Sequence, residues 1–493
     1  MIRNTYEDIV NGIEVRQNLS LLRQELKDSH EKRALLYFLS GDYSVLEGLL
    51  VHEDPKIRKN VALIMGALGD KRLLKPLYEA YEKEETLFVK SSYLLSIKEY
   101  DFREYVPKFR QRLEELSRKE LTLDNKKHLT EEMRALSDLL IIQEGVKHHK
   151  FTGMDKSSEL ILLTNRNYIH EIMAELPVDI TAKAFSAGIM LTTDSLEEIR
   201  KLRYYEELLF VVSGMKTCPM NAEEAARKIA EADLVKFMMD RHEGNAPFYF
   251  RIECKSNLPL DKKSMFTKKL SSELERLTKR QLINSTSNYE FEIRLIENKT
   301  GCFNVLLKLY TLEDRRFTYR KEVLATSIRP VNAALTCFLA SDYIIEDAKV
   351  LDPFCGTGTM LIERHKFRKA NTTYGIDLFG EAIDKAKVNT EIAHQIIHYI
   401  NRDFFDFKHD YLFDEIITNM PFVIGKSNRE DIVVLYDRFF EKAKLHLEPN
   451  GIVILYSHNQ DLVRRFSLKY GYNIKEEREI SKKAGTYVYV LSI

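Results

Sequence analysis

The chain is expected to be a multidomain protein with three architectures in succession: all-α over residues 1–150, mixed α+β over 151–322, and a doubly wound α/β sheet over 323–493. Three observations lead there. A weak repeat of about 30 residues, marked by Gly-Asp turns, runs through the first part. Short apolar strands alternate with helical patterns in the second. In the third, a strand runs into Asp352-Pro353-Phe354-Cys355-Gly356-Thr357-Gly358-Thr359, and later strands each deliver polar residues to one edge of a sheet. With 493 residues and 44% hydrophobic content, the chain has material for two or more packed domains.

In the first part, Gly69-Asp70 with Pro76 and Asp101 with Pro107 recur at a spacing of 31. Gly41-Asp42 leads Gly69-Asp70 by 28, and Leu46 and Leu49 map onto Leu74 and Leu77. Each unit reads as helix, short turn, helix and resembles HEAT-like repeats, which stack into a solenoid. Asp54-Pro55 is a helix-start signal before Ile57, Val61, Ile64 and Leu68. Glu114 to Ile142 reads as one longer charged helical stretch, and Gly145 to Gly153 as a linker on which His148 and His149 are solvated. This part is either a docking surface for a protein or RNA, or a helical brace.

The second part reads as strand Leu160 to Leu163, helix Tyr168 to Leu176, strand Gly188 to Thr192, helix Leu196 to Leu202 and strand Glu207 to Ser213. Helix Ala222 to Phe237, strand Phe248 to Cys254, a basic helix from about Lys262, and strands Glu290 to Glu297 and Cys302 to Leu309 follow. The formal net charge of zero argues against a nucleic-acid partner, but the charge is uneven. Between Lys255 and Gln281 eight Lys or Arg stand against three acids. Met265, Leu270, Leu274 and Leu277 form an apolar stripe that turns Lys262, Lys263, Lys268, Lys269, Lys279 and Arg280 outward as candidate RNA contacts.

The third part carries the chemistry. Strand Lys349 to Leu351 enters the glycine turn, and a helix starts near Thr359, a geometry that brings backbone close to a nucleotide-like ligand. A second strand, Thr373 to Ile376, ends in Asp377, placed to bond ribose hydroxyls. A third, Ile396 to Ile400, leads to Asp403 and Phe404, suited to the amino group and the face of an adenine. A fourth, Glu415 to Thr418, delivers Asn419-Met420-Pro421-Phe422. That tetrad suits methylation of an exocyclic amine, whose lone pair is delocalised into its ring. The Asn419 oxygen and a carbonyl near Pro421 would accept from the NH2 group, and Phe422 would stack on the extruded base.

The Asp352 to Thr359 loop and the Asn-Met-Pro-Phe tetrad resemble those of THUMP-domain RNA guanine-N2 methyltransferases, over roughly residues 150 to 493. The resemblance implies an S-adenosylmethionine cofactor and a Rossmann-like methyltransferase domain. The Asp352, Phe354, Gly356, Gly358 and Thr359 loop would hold the methionine part, Asp377 the ribose, Asp403 and Phe404 the adenine, and Asn419, Pro421 and Phe422 the target base. Thr326 to Pro330 and the helix Val331 to Ala340 are similar to the segment that lines the family's cofactor pocket. Residues 151–322 would be a THUMP-containing region with a ferredoxin-like companion that grips the acceptor end of tRNA. Met420 departs from the Leu or Pro of many relatives. The implied activity is guanosine-N2 methylation, with tRNA ahead of rRNA. The alternatives left open are a 23S rRNA guanine-N2 or adenine-N6 methyltransferase and a non-catalytic RNA-binding adaptor.

The remaining features restrict the class. The five cysteines, at 218, 254, 302, 337 and 355, stand singly without metal-ligand spacing, so free thiols and no metal site are expected. Cys355 is read as a small side chain in a tight loop. No apolar run nears the roughly 20 residues that span a bilayer, and Met1-Ile2-Arg3-Asn4-Thr5 lacks a signal-peptide pattern, which places the protein in the cytoplasm.

Overall fold

The computed structural model describes residues 2–118, 122, 124–144, 149–422 and 428–493, and divides into two compact units, Met1–His148 and His149–Ile493. Among its described residues the first unit is wholly helical. Helices Val15–Glu25, Pro55–Leu68, Leu87–Ile97 and Lys126–Glu144 pack one on the next in a row. Ile2–Val10, Leu74–Lys83 and Val106–Arg118 lie against members of that row. The core is the unit's own, built around Leu22, Val61, Leu77, Tyr93 and Leu136. The repeating Asp is a cap: Asp42 accepts from the Ser44 amide at 3.0 Å, Asp70 from Arg72 at 3.0 Å and Asp101 from Arg103 at 3.4 Å. Asp54 caps Lys56 at 2.8 Å with Pro55 in the first turn.

Two expectations for this region are corrected. The stretch from Glu114 to Ile142 is not one helix but is shared between Val106–Arg118 and Lys126–Glu144, with the Asn125 side chain accepting from the Thr122 amide at 2.8 Å. His149 is not solvated. Its Nδ1 lies 2.5 Å from Glu290 Oε1, its Nε2 3.0 Å from the Asn245 carbonyl, and its ring 4.2 Å from Phe248. His148 lies outside the described residues.

In the second unit, residues 158–309 build one continuous nine-stranded sheet. In spatial order its strands are Thr181–Phe185, Gly188–Thr193, Ser158–Thr164, Tyr205–Val211, Cys302–Leu309, Phe291–Glu297, Phe248–Lys255 and Leu282–Asn284, with Thr217–Pro219 also paired to Cys302–Leu309. Edge strand Thr181–Phe185 escapes sequence reading because neither of its faces is buried. The expected helix Ala222 to Phe237 is two, Ala222–Glu231 and Leu234–Met239, since Asp233 at φ 52 turns the chain without a Gly or Pro to mark the break.

The basic helix spans Leu260–Leu277. Met265 is 70% exposed, and Phe266 takes the inward position instead, 5.3 Å from Phe303. Lys262, Lys268 and Lys279 are exposed. Lys263 donates to the Ser256 carbonyl at 3.2 Å, and Lys269 pairs with Glu223. Arg280 pairs at 3.3 Å with buried Glu275, which also accepts from the Asn284 amide, so this cation braces the end of the helix and does not point outward.

The last part is a seven-stranded sheet of β1 (Lys349–Asp352), β2 (Thr372–Asp377), β3 (His398–Asn401), β4 (Phe413–Asn419), β5 (Leu447–Ser457), β6 (Asn473–Ser481) and β7 (Thr486–Ser492). The order is β3-β2-β1-β4-β5-β7-β6, parallel except at β7, which pairs antiparallel with β5 and β6. Helices α1 (Pro330–Leu339), α2 (Thr359–Phe367), α3 (Gly380–Ile392), α4 (Arg429–Lys444) and α5 (Gln460–Tyr470) accompany it. Strand order reverses between β1 and β4, which opens a crevice at their carboxyl ends. Under it, fully buried Arg364 of α2 bonds Glu415 of β4 at 2.8 Å and the carbonyls of Arg368 and Ile345. Arg203 and Tyr319 both bond buried Glu363 of α2, at 2.7 and 2.6 Å, and the Arg203 bond fastens the nine-stranded region to α2.

Candidate active site

A cavity of about 440 Å³ occupies the crevice at the reversal. Its wall carries Asp352, Phe354, Gly356, Thr359, Asp377, Asp403, Phe404, Asn419, Pro421 and Phe422, so residues spread over 71 positions of sequence converge there. Gly358 stands off the wall. It caps α2 at φ 78, and a Cβ there would lie 2.2 Å from the Tyr399 hydroxyl, so its role is to let the loop pack closely. Gly356, at φ 51, would send a Cβ into open space. Its amide donates to Asp377 Oδ2 at 2.9 Å, while the Phe379 amide donates to Oδ1 at 2.9 Å. The carboxylate at the end of β2 is thus fixed on the cavity wall, and each oxygen keeps a lone pair for a hydroxyl.

Asp352 is 1% exposed and accepts from the Phe354 amide at 3.0 Å. Burial pushes its carboxyl up to about 7, against the pull of that amide. Asp403 accepts from the Phe405 amide at 2.9 Å. Phe404 is only 2% exposed, its ring committed to core packing with Phe354, Phe439 and His446. The more open apolar surface on the same wall comes from Leu378, Phe379 and Phe405, which sequence reading passed over. Cys355 is buried against Gly375, where a Cβ would sit 3.0 Å from its sulfur, and burial raises its thiol well above the usual range. All five cysteines are free.

At the end of β4, Asn419 Oδ1 is buried and lacks a hydrogen-bond partner. A buried acceptor left unsatisfied costs about 1–3 kcal/mol, which makes Asn419 Oδ1 a candidate to accept from a ligand. Met420 points the other way, 0% exposed in the core, with its amide bonded to the Tyr456 carbonyl at 2.9 Å. The departure at this position therefore faces packing, not the cavity.

Leu324, Thr326, Ser327 and Ile328 close one side of the cavity. Their anchor is Asn389, fully buried in α3 and missed at the level of sequence. Its Nδ2 donates to the Glu322 and Thr357 carbonyls at 2.9 and 3.1 Å, and its Oδ1 accepts from the Lys321 and Glu322 amides at 3.0 and 2.9 Å. The one sign was an Asn in a helix that otherwise turns Ala382, Ile383 and Ala386 inward. Among the described residues, no group of three or more His, Cys, Asp or Glu is placed to hold a metal ion, and no helix is long and apolar enough to cross a membrane.

Comparison with known proteins agrees with this geometry. Residues 319–486 match the family UPF0020, described as RMKL-like, methyltransferase domain. A tRNA (guanine(10)-N2)-dimethyltransferase of Methanothermobacter thermautotrophicus is 29% identical over 147 residues, covering 27% of this chain. The chain spans about 41% of the length of that curated relative. Among solved structures, TrmN from Thermus thermophilus superposes with a TM-score of 0.51 at 19% identity, covering 68% of this chain and 99% of that one. SMU.472, solved with SAH, gives 0.52 at 15% identity, covering 69% and 98%. These likenesses show the fold. A cavity at the β1/β4 reversal, a fixed carboxylate after β2 and a glycine loop open to the cavity fit an adenosine-bearing cofactor. Residues 319–486 thus form a methyltransferase domain, and its cofactor is S-adenosylmethionine.

Proposed function

We propose that the protein is an S-adenosylmethionine-dependent RNA methyltransferase that modifies the exocyclic N2 of a guanosine in tRNA. The observation that carries this reading is that Asn419, whose Oδ1 is buried and without a hydrogen-bond partner, converges with Asp352, Asp377 and Asp403 on the wall of one cavity. The similarity to a tRNA guanine-N2 dimethyltransferase supports the choice of base and of RNA. When bound, the cofactor supplies an electrophilic methyl group on a sulfonium.

Asp377 bonds the cofactor's ribose hydroxyls and Asp403 its adenine amine, while the 352–359 loop lies along its methionine part. Asn419 Oδ1 accepts one N–H of the target amine and the backbone near Pro421 accepts the other. Those bonds draw the nitrogen out of conjugation and aim its lone pair, which is positioning and preorganised electrostatics, not acid–base catalysis. Phe422 holds the base by its face. Within the rest of the chain, we assign residues 151–322 to a THUMP-containing region that grips the tRNA acceptor end through backbone and shape. Exposed Lys262, Lys268 and Lys279 contribute there. The 1–150 helices are a HEAT-like surface for a protein partner.

Equilibrium binding and turnover of Asn419→Ala test the central role. Turnover should fall by about 10²- to 10³-fold with cofactor affinity retained; loss of cofactor binding with the fold intact would remove Asn419 from the amine site.

A further inference from the structure

The Phe422 ring does not stand alone at the cavity. His458 lies just past β5, whose Tyr456 is in register with Asn419 of β4, so it sits beside the tetrad across the strand pair. The two rings are 4.3 Å apart between centroids and inclined by 35°. His458 is held from three further directions. Its Nδ1 is 3.1 Å from Thr486 Oγ1 and 3.4 Å from the Ala484 carbonyl, both on the β6–β7 side. The Tyr456 ring meets it edge-on at 5.8 Å and 80°. Tyr456 is itself fixed, since its hydroxyl accepts from Asn332 Nδ2 of α1 at 3.1 Å.

We propose that His458 is a positioning residue and the second ring of the target-base platform: clamped by Thr486, Ala484 and Tyr456, it backs Phe422 so that this ring is preset to receive a nucleobase. The inference rests on the function proposed above. The contacts of Nδ1 with Thr486 Oγ1 and the Ala484 carbonyl fix the ring's orientation. Burial also lowers the pKa of His458, which keeps the ring neutral and suited to face contact. A ring already held loses less freedom when a base stacks on it, and that saving appears as affinity for the acceptor.

Two experiments on the full chain test this. The chain has no tryptophan, so Phe422→Trp installs a single tryptophan at the platform, which excitation beyond the tyrosine absorption band reads alone. Adding His458→Ala to that variant should red-shift its emission and lower its anisotropy. Unchanged emission and anisotropy would overturn the proposal, whatever the acceptor turns out to be. In methyl transfer to tRNA, His458→Ala should lower kcat/KM about tenfold, mainly through KM for RNA, with cofactor affinity within twofold. His458→Phe should restore part of the loss, because it returns the ring face and its contact with Tyr456 while giving up the Nδ1 bonds. If His458→Phe is as impaired as His458→Ala, the nitrogens and not the ring face matter, and the proposal fails. Should the wild-type protein transfer no methyl to any RNA, the proposed function falls, and the fluorescence pair still decides whether His458 holds residue 422.

Discussion

At the scale of single residues, the cavity is a set of polar atoms whose partners on one side come from the protein. Asp377 is the clearest case, with both oxygens bonded to loop amides and its outer lone pairs unused. Asp377→Ala should weaken cofactor binding at least tenfold and loosen the Gly356 turn, which titration calorimetry would read. Asp352 makes a prediction about pH. Its folded pKa, about 7, lies above the ordinary carboxylate value because of burial, so the cofactor-free fold retains a proton that the unfolded chain releases near pH 4. The stability contributed by the protonated form is complete below pH 4 and is lost as pH rises toward 7, at up to about 1.4 kcal/mol per pH unit. Asp352→Asn removes this dependence, so the difference in denaturation midpoint between variant and wild type should grow from pH 4 to 7 and then level off. A constant difference would contradict the buried, proton-holding Asp352.

At the scale of elements, the seven-stranded sheet depends on buried polar contacts as well as on apolar packing. Arg364→Met leaves Glu415 in the interior without its counter-charge, and should cost about 3–5 kcal/mol in chemical denaturation. Asn389→Leu strands two carbonyls and two amides that tie the 321–324 segment to the loop. It should weaken cofactor binding about tenfold or more while a preformed amine site at Asn419 stays in place. Four of the seven strands of this sheet were legible because each leads to a residue whose chemistry is visible in sequence: β1 ends in Asp352, β2 in Asp377 and β4 in Asn419, and Asp403 follows just past β3. What escaped was whatever depends on three-dimensional neighbours. Asn389 looks like an ordinary helical Asn until its four backbone partners are in place. Phe404 and Phe405 are interchangeable in sequence, and only packing against Phe439 and His446 decides which ring is buried. Met265 and Phe266 on the basic helix differ by one position, and the rotation that seats Phe266 on Phe303 could not be read from spacing. The break at Asp233 carries no Pro or Gly to announce it, and the edge strand Thr181–Phe185 only the weak alternation of Ala182 and Ala184 with Thr181 and Lys183.

At the scale of the whole molecule, the two compact units have separate cores, one confined to the N-terminal helices and the others to residues beyond 149. Among the described residues, all those that line the cavity belong to the second unit. Residues 149–493 alone should therefore bind S-adenosylmethionine as tightly as the full chain, and a loss of more than tenfold would mean that the helical unit supports the site. The nine-stranded region is fastened to the methyltransferase domain by Arg203 on Glu363. The central claim is the chemistry of the acceptor, and it is tested most directly by incubating the full chain with labelled S-adenosylmethionine and unmodified tRNA, then analysing the nucleosides. The account predicts label in N2-methylguanosine; label in N6-methyladenosine, or no transfer to tRNA by protein that binds the cofactor, would contradict it.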